Sequence, residues 1–335
     1  MLTVLEPEAM YPDTSVEQEV LGRNVRILHG GAPHDRDLSL LSDDVCAEVD
    51  GLFIFRHWLR AADIARFPKL KVVVRMGVGY DRLDRKTLAE RQVRVCNVPD
   101  YGTMEVADHA IALALSLRRG IILHHDAQRR GAPWRYIDSP VIQRPQTRTF
   151  GIVGLGRIGT AAALRARAFG WRVVFFDPYL PNGVDRALGI ERARSLHDLL
   201  RQSDTLSLHT PQTPGTIGMI GAAELALLPA GALVVNTSRG PVMDIEALYD
   251  AMKDGQVAGA GLDVVPVEPP ALPLPRLMAA YNERAPWLEG RLVITPHSAF
   301  HTPEAWADIR RKSAETMRDV LVDGLRTNII PPEGD

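Results

Sequence analysis

Short apolar runs alternate with helical stretches along most of the chain. In the first hundred residues Val25-Arg26-Ile27-Leu28, Gly51-Leu52-Phe53-Ile54-Phe55, Lys71-Val72-Val73-Val74-Arg75 and Val93-Arg94-Val95-Cys96-Asn97 read as strands. Asp37–Cys46 and Thr87–Arg91 read as helices between them. The alternation resumes at Thr149, with strands predicted at Phe150–Val153, Arg172–Phe176, Thr205–Leu208, Ala232–Val235, Gly259–Val264 and Leu292–Ile294. The helices there are Thr160–Phe169, Leu196–Gln202 and Ile245–Lys253. Strand and helix taking turns implies parallel strands joined by crossovers, so the fold class is α/β. Met104–Arg118 is apolar on most sides, the mark of a helix buried within a domain or at a subunit contact. The polar stretch His124–Arg148 suits a surface arm, in which Trp134 and Tyr136 are either an oligomer anchor or ordinary loop packing. Pro303–Leu325 reads as one long amphipathic helix.

At 335 residues the chain suggests two domains. The formal net charge is -2 and no long run of one sign occurs, which argues against nucleic acid and membrane surfaces as partners. Cys46 and Cys96 have neither CxxC spacing nor a metal-ligand cluster nearby, so the expectation is two reduced thiols and no metal site. The start, Met1-Leu2-Thr3-Val4-Leu5-Glu6-Pro7-Glu8, lacks the basic and apolar regions of a signal peptide. No apolar run approaches the ~18 residues of a membrane span. A soluble cytoplasmic protein acting on small molecules is expected.

Gly154-Leu155-Gly156-Arg157-Ile158-Gly159 carries the first chemistry. A lone GxGxxG is weak, but this one follows a predicted strand and opens a predicted helix. Asp177 closes the next strand 18 residues past Gly159, near the ~20 expected of a dinucleotide-binding unit. Gly154 permits the tight turn, Gly156 admits the pyrophosphate to the backbone, and Gly159 lets helix and strand pack closely. The helix N-terminus, at Arg157 and Ile158, presents free N–H groups to the phosphates. Asp177 can accept from both ribose hydroxyls and would repel a 2′-phosphate. With Pro178 and Tyr179 after it, rather than arginine or serine, it points to NAD over NADP.

Arg239, Glu268 and His297 each end a predicted strand or stand just beyond one, where open α/β sheets gather their ligands. Oxidising a secondary alcohol by hydride transfer requires a base for the hydroxyl proton, which histidine supplies near neutral pH. A neighbouring carboxylate orients the ring and favours the imidazolium. An arginine grips a substrate carboxylate through two parallel bonds. Order and location, more than any one of these residues, join them into one site.

At these residues the chain resembles the D-2-hydroxyacid dehydrogenase family, most closely the C-terminal binding protein branch. The likeness runs from about Lys71 to Arg311. It rests on Val74-Arg75-Met76-Gly77-Val78-Gly79-Tyr80-Asp81, the glycine loop, Phe176-Asp177-Pro178-Tyr179-Leu180 and the continuation Gly183–Gly189. Asn236-Thr237-Ser238-Arg239-Gly240, Leu262-Asp263-Val264, Glu268-Pro269 and Pro296-His297-Ser298-Ala299-Phe300 complete it. The resemblance implies two Rossmann-like or flavodoxin-like domains with parallel sheets. A cofactor domain, 103–300, would be inserted into a discontinuous substrate domain, 1–102 plus 301–335, and the final helix would return to pack with the first hundred residues. It also implies a homodimer formed through the helix and arm at about 104–148.

By position, His297 resembles the family's acid/base, Glu268 its partner and Arg239 the carboxylate anchor. The loop Met76-Gly77-Val78-Gly79 resembles the one that holds the other side of the substrate carboxylate, its successive N–H groups of Gly77, Val78 and Gly79 forming an anion nest. Val78 and His297 would also touch the cofactor. Asp263 resembles the residue on the nicotinamide carboxamide. His209, Thr210, Pro211 and Thr216 resemble the loop on the adenosine side, and Thr237 and Ser238 would also contact NAD. The substrate pocket would be shaped by His57, Trp58, Met76, Phe300 and Tyr281 or Trp287. Glu268, where formate dehydrogenases have glutamine, argues against formate. The absence of lysine between Met76 and Tyr80 argues against phosphite. Phe300 stands where the corepressor branch has an indole. The long stretch Leu272–Gly290 is either a lid or specificity loop, or a surface insertion. The implied activity is reversible reduction of a 2-keto acid to a D-2-hydroxy acid with NADH. The alternative is an NAD(H)-gated, peptide-docking protein of the corepressor kind with little turnover.

Overall fold

The computed structural model describes residues 1–8, 10–32 and 38–332. The chain divides into two compact units, Met1–Tyr101 with Thr302–Asp335, and Gly102–His301.

The first unit holds strands β1 (Leu2–Glu8), β2 (Val25–Ala32), β3 (Gly51–Ile54), β4 (Val72–Arg75) and β5 (Arg94–Cys96). All run parallel in the order β2-β1-β3-β4-β5. β1, absent from the sequence reading, is an interior strand. Glu6, Pro7 and Glu8 break its apolar pattern, yet Glu6 and Glu8 are as buried as Val4 and Leu5. Glu8 owes its place to the loop after β3, whose amides have no strand neighbour. Its carboxylate accepts from the N–H of Phe55 (2.5 Å), Arg56 (2.5 Å) and His57 (3.1 Å). The strand order reverses between β1 and β3, where doubly wound sheets open a crevice for ligands. In this unit the chain's own carboxylate sits at that point.

The helix Pro303–Met317 packs in this unit on the helix Ser15–Leu21 and on β4. The expected single helix to Leu325 instead gives way to a π-helical turn, Arg318–Val322, in which the Asp323 N–H reaches back to the Arg318 carbonyl (3.0 Å). A 3.6-residue period carries no sign of such a widened turn. Of the expected helix Asp37–Cys46, Asp37 lies outside the described residues. The rest is a 3₁₀ turn, Leu38–Leu40, and a short helix, Asp43–Glu48, capped by Ser42.

The second unit holds β6 (Thr149–Val153), β7 (Arg172–Phe176), β8 (Glu191–Arg192), β9 (Thr205–Leu208), β10 (Ala232–Asn236), β11 (Val257–Leu262) and β12 (Leu292–Ile294). They form one parallel sheet, β12-β11-β10-β9-β6-β7-β8. The helix Thr103–Arg118 lies against β10, β11 and the helix Arg157–Ala168, which accounts for its apolar character. Its last residue, Arg118, is fully buried and donates to Gln143 Oε1 (2.8 Å), Thr205 Oγ1 (3.4 Å) and the Asp204 carbonyl. Burial pushes its pKa down to about 10, which leaves it charged at neutral pH. The stretch read as an arm begins within a second helix, Ile121–Arg129. Beyond it Trp134 and Tyr136 are 92% and 84% exposed.

Leu272–Gly290 is docked rather than free. Leu277, Met278 and Leu288 are buried in the unit's largest core cluster. Arg276 pairs with Glu246 (2.6 Å) and Asp250 (2.8 Å) of the helix Ile245–Lys253 and stacks on Tyr249. Trp287 meets Tyr249 edge-on, with Lys253 over its ring. Among the described residues no helix is long and apolar enough to cross a membrane, and no cluster of three His, Cys, Asp or Glu is placed to hold a metal ion.

Glu6 supplies a pH test. Burial first, and then the charge of Glu17, push its carboxyl up to about 8, with Arg310 opposing and Glu8 assisting. Arg310 is itself committed to Glu17 (2.8 Å) and Asp13 (2.8 Å). The folded chain therefore holds a proton that the unfolded chain releases above the usual carboxylate value. The stabilisation is complete at acid pH and is lost as pH rises through about 8. Glu6→Gln, neutral at all pH, is expected to match wild type in thermal melting at pH 5 and to melt several degrees higher at pH 9. A constant difference between the two pH values would contradict this.

Candidate active site

Because all seven strands of the second unit run parallel, their C-terminal ends share one edge. The order reverses between β6 and β9. At that point the glycine loop leaves β6 and His209 follows β9, with the His209 N–H bonded to the Val153 carbonyl (2.8 Å). Gly154 is left-handed (φ 86°), and Gly156 caps the helix Arg157–Ala168. A Cβ on Gly159 would lie 2.1 Å from the Gly154 carbonyl oxygen, so only glycine lets the helix close on the turn. A Cβ on Gly156 would meet nothing within 4 Å, leaving the loop open where a pyrophosphate needs access. Ile158 packs inward on Ala107, Ala161 and Ala162, while Arg157 is exposed at the first turn.

Asp177 ties the loop to the strand beside it. Its Oδ2 accepts from Leu155 N–H (2.9 Å) and its Oδ1 from Tyr179 N–H (3.0 Å), which leaves acceptor positions for ribose hydroxyls. Arg192 spends its guanidinium on the carbonyls of Asp177, Leu180 and Pro181. Burial pushes His209 down to about 4, so its ring is neutral, with Nε2 against Ser207 Oγ (2.9 Å). Thr216 Oγ1 donates to the Pro211 carbonyl (2.6 Å) and accepts from Thr213 N–H (2.8 Å), closing the loop that Thr210 and Pro211 begin. The Thr237 hydroxyl is buried without a hydrogen-bond partner among the described residues. An open glycine turn, a ribose-side carboxylate and an orphaned hydroxyl at one sheet edge fit a dinucleotide.

Arg239, Glu268 and His297 stand on the loops after β10, β11 and β12. Asn236, buried at the end of β10, accepts from Ser238 N–H (3.0 Å) and Oγ (2.8 Å) and donates to the Arg239 carbonyl (3.0 Å), fixing that turn. A Cβ on Gly240 would lie 2.0 Å from the Val265 carbonyl carbon. Glycine thus lets the Arg239 turn touch the loop carrying Glu268. Glu268 Oε1 accepts from Val265 N–H (3.0 Å), and Oε2 is 2.6 Å from His297 Nδ1. Burial works against ionising Glu268, but the His297 bond and charge, the Val265 amide and the Arg239 charge outweigh it and hold its pKa below the ordinary value. His297 sits in the left-handed region (φ 51°), its N–H shared by the carbonyls of Asp263 (2.8 Å) and Thr295 (3.0 Å). Phe300 meets its ring edge-on at 6.4 Å.

Asp263 is more occupied than its resemblance implied. Oδ1 accepts from Thr295 Oγ1 (2.6 Å) and Ser298 N–H (2.8 Å), and Oδ2 from Ala299 N–H (2.9 Å). One acceptor position of about four remains. Sequence reasoning missed Asn236, Thr295 and His109, whose Nε2 is 3.0 Å from Thr295 Oγ1. The one available signal was a histidine interrupting an apolar helix.

In the first unit, Met76 is buried and its N–H is paired with the Ile54 carbonyl (2.8 Å). The Gly77 N–H is engaged by the Arg75 carbonyl (2.9 Å), which narrows the expected nest of three amides to Val78 and Gly79. Asn97 Nδ2 holds the Val78 carbonyl (2.8 Å), and His57 is buried beside exposed Trp58. Trp287 is committed to Tyr249 and Lys253 in the second unit.

A doubly wound parallel sheet with a glycine turn at its switch point defines the class, a dinucleotide-binding α/β protein. Residues 111–299 match the NAD-binding domain of the D-isomer specific 2-hydroxyacid dehydrogenases, and the chain belongs to that family. It is 37% identical over 303 residues to a glyoxylate reductase of Korarchaeum cryptofilum, covering 89% of this chain and 81% of the relative. It is 31% identical over 331 residues to a D-3-phosphoglycerate dehydrogenase of Methanocaldococcus jannaschii, covering 98% of this chain but only 59% of that longer protein. Its fold superposes with a TM-score of 0.82 on the D-lactate dehydrogenase of Aquifex aeolicus complexed with NAD and lactic acid, at 25% identity and 98% coverage of both chains. The family places NAD as the cofactor; the narrower likeness to the corepressor branch finds no specific support in these relatives.

Asp177→Ser is expected to weaken NADH binding by roughly ten- to a hundredfold while leaving NADPH binding unchanged or tighter. Fluorescence titration with both cofactors measures this. An unchanged preference for NADH would remove Asp177 as its source.

Proposed function

We propose that the protein reversibly reduces a small 2-oxo acid to the D-2-hydroxy acid with NADH, with His297 as acid/base, Glu268 as its partner and Arg239 as the carboxylate anchor. The observation that carries this reading is the 2.6 Å contact between His297 Nδ1 and Glu268 Oε2. It leaves Nε2 as the nitrogen that exchanges a proton with substrate. The nicotinamide, when bound, supplies or accepts the hydride. In the reducing direction His297 gives its Nε2 proton to the carbonyl oxygen, and the new C–H and O–H bonds complete the alcohol. Glu268, kept ionised by its neighbours, orients the ring and stabilises the imidazolium before the transfer. Arg239 pairs with the substrate carboxylate through a planar fork that lysine cannot reproduce.

The large exposed side chains Trp134 and Tyr136 support assembly as a homodimer through the segment at about 104–148. Light scattering is expected to report twice the chain mass, and a monomer would contradict it.

Absorbance loss at the NADH band, followed with glyoxylate, hydroxypyruvate and pyruvate, tests the activity. His297→Gln is expected to lower kcat by roughly 10²- to 10⁴-fold with little change in NADH affinity. Near-normal turnover by that variant would sink the assignment. Glu268→Gln removes the charge that orients the ring and balances the imidazolium, and is expected to lower kcat with little change in NADH affinity. Tight NADH binding by wild type without turnover of any 2-oxo acid would favour a nucleotide-gated docking protein instead.

A further inference from the structure

We propose that His109 is a positioning residue for the acid/base loop: through the Thr295 hydroxyl and the Asp263 carboxylate it fixes the segment that carries His297. The proposal rests on the reading of His297 as acid/base.

The order of protons along this chain follows from the distances. Thr295 Oγ1 lies 2.6 Å from Asp263 Oδ1, and an ionised carboxylate only accepts, so the single hydroxyl proton points at Asp263. The 3.0 Å contact between Thr295 Oγ1 and His109 Nε2 then requires a proton on the imidazole. His109 is thereby assigned the form protonated on Nε2. The same ring nitrogen lies 3.8 Å from Asp263 Oδ1, so its N–H dipole also faces the buried carboxylate.

What this chain holds is the loop on both sides of His297. Thr295 precedes it and is bound through its side chain. Ser298 and Ala299 follow it and are bound through their amides to the two oxygens of Asp263. The His297 N–H itself goes to the Asp263 carbonyl (2.8 Å). His297 is left-handed, a conformation that a residue with a side chain keeps only when its surroundings over-determine it. The hydroxyl of Thr295 is the rotatable member of the set. With His109 donating to it, the proton has one place to point; without that donor the hydroxyl can turn away from Asp263 and the loop loses a tether. Packing does not ask for histidine here. Its neighbours on the helix Thr103–Arg118 that face the core, Ala107, Ala110, Ile111 and Leu113, are apolar, and leucine would continue the pattern.

The test compares His109→Leu, His109→Gln, Thr295→Val and the double variant His109→Leu/Thr295→Val. Glutamine presents an N–H near the position of the imidazole Nε2. His109→Leu is expected to lower kcat roughly tenfold or more while KM for the 2-oxo acid and Kd for NADH stay within about twofold. His109→Gln is expected to recover most of the loss, Thr295→Val to match His109→Leu, and the double variant to be no slower than the slower single. Equal rates for the Leu and Gln variants, unchanged kcat in both, or losses that multiply in the double variant would overturn the proposal. Long-range ¹H–¹⁵N spectra of the imidazoles read the relay without turnover. A His109 signal of the Nε2-protonated form, perturbed by Thr295→Val, supports it; the Nδ1-protonated form overturns it. A wild type that reduces no 2-oxo acid would instead defeat the assignment of His297 and leave this spectroscopic result standing.

Discussion

Parallel strands deliver their loops to one edge of a sheet, and the first amides of each loop have lost their ladder partners. In this protein carboxylates answer that need, and the placement of the functional loops depends on them. Asp263 takes two amides and a hydroxyl from the segment after β12, Asp177 ties the glycine turn to the residues after β7, and Glu8 gathers three successive amides after β3. A hydrogen bond to a charged acceptor contributes about 1.5–3 kcal/mol, and leaving a buried charge unpaired costs more. Each carboxylate therefore locks its loop as firmly as the loop satisfies the carboxylate.

The same device has opposite consequences in the two units. Both sheets are doubly wound and both have a point where strand order reverses. In the first unit Glu8 occupies that point with charge from the chain itself. In the second, the glycine turn leaves open space at Gly156, and the acid stands one strand away at Asp177. That difference explains why the dinucleotide chemistry belongs to the second unit although the two architectures are so alike.

Around His297 the geometry is built by close approach as well as by charge. Gly240 lets the Arg239 turn press on the backbone of Val265, and the Val265 amide in turn holds Glu268. Arginine, glutamate and histidine arrive from three separate strands, so their convergence is a property of the parallel edge and of the contacts that fix each loop. The depressed pKa of Glu268 expresses that convergence: burial alone would have raised it, and its neighbours reverse the sign.

Periodicity and motif spacing were enough to read most strands, the α/β class, the glycine loop with Asp177, and the three polar residues at strand ends, because each is a local pattern of a few residues. The family likeness added NAD and the expected roles. What sequence left out depends on partners distant along the chain. β1 was invisible because Glu6 and Glu8 look exposed in sequence; only the fold buries both and brings the loop amides after β3 to Glu8. The helix inside the supposed arm, the π-helical turn before Asp323 and the docking of Leu272–Gly290 on the helix Ile245–Lys253 are likewise decisions of packing. His109 reads in sequence as one of a few polar residues, beside Asp108, in a largely apolar helix. Only folding places its ring 3.0 Å from Thr295, because hydrogen-bond partnership across 186 residues is a matter of position in space, which no local pattern encodes.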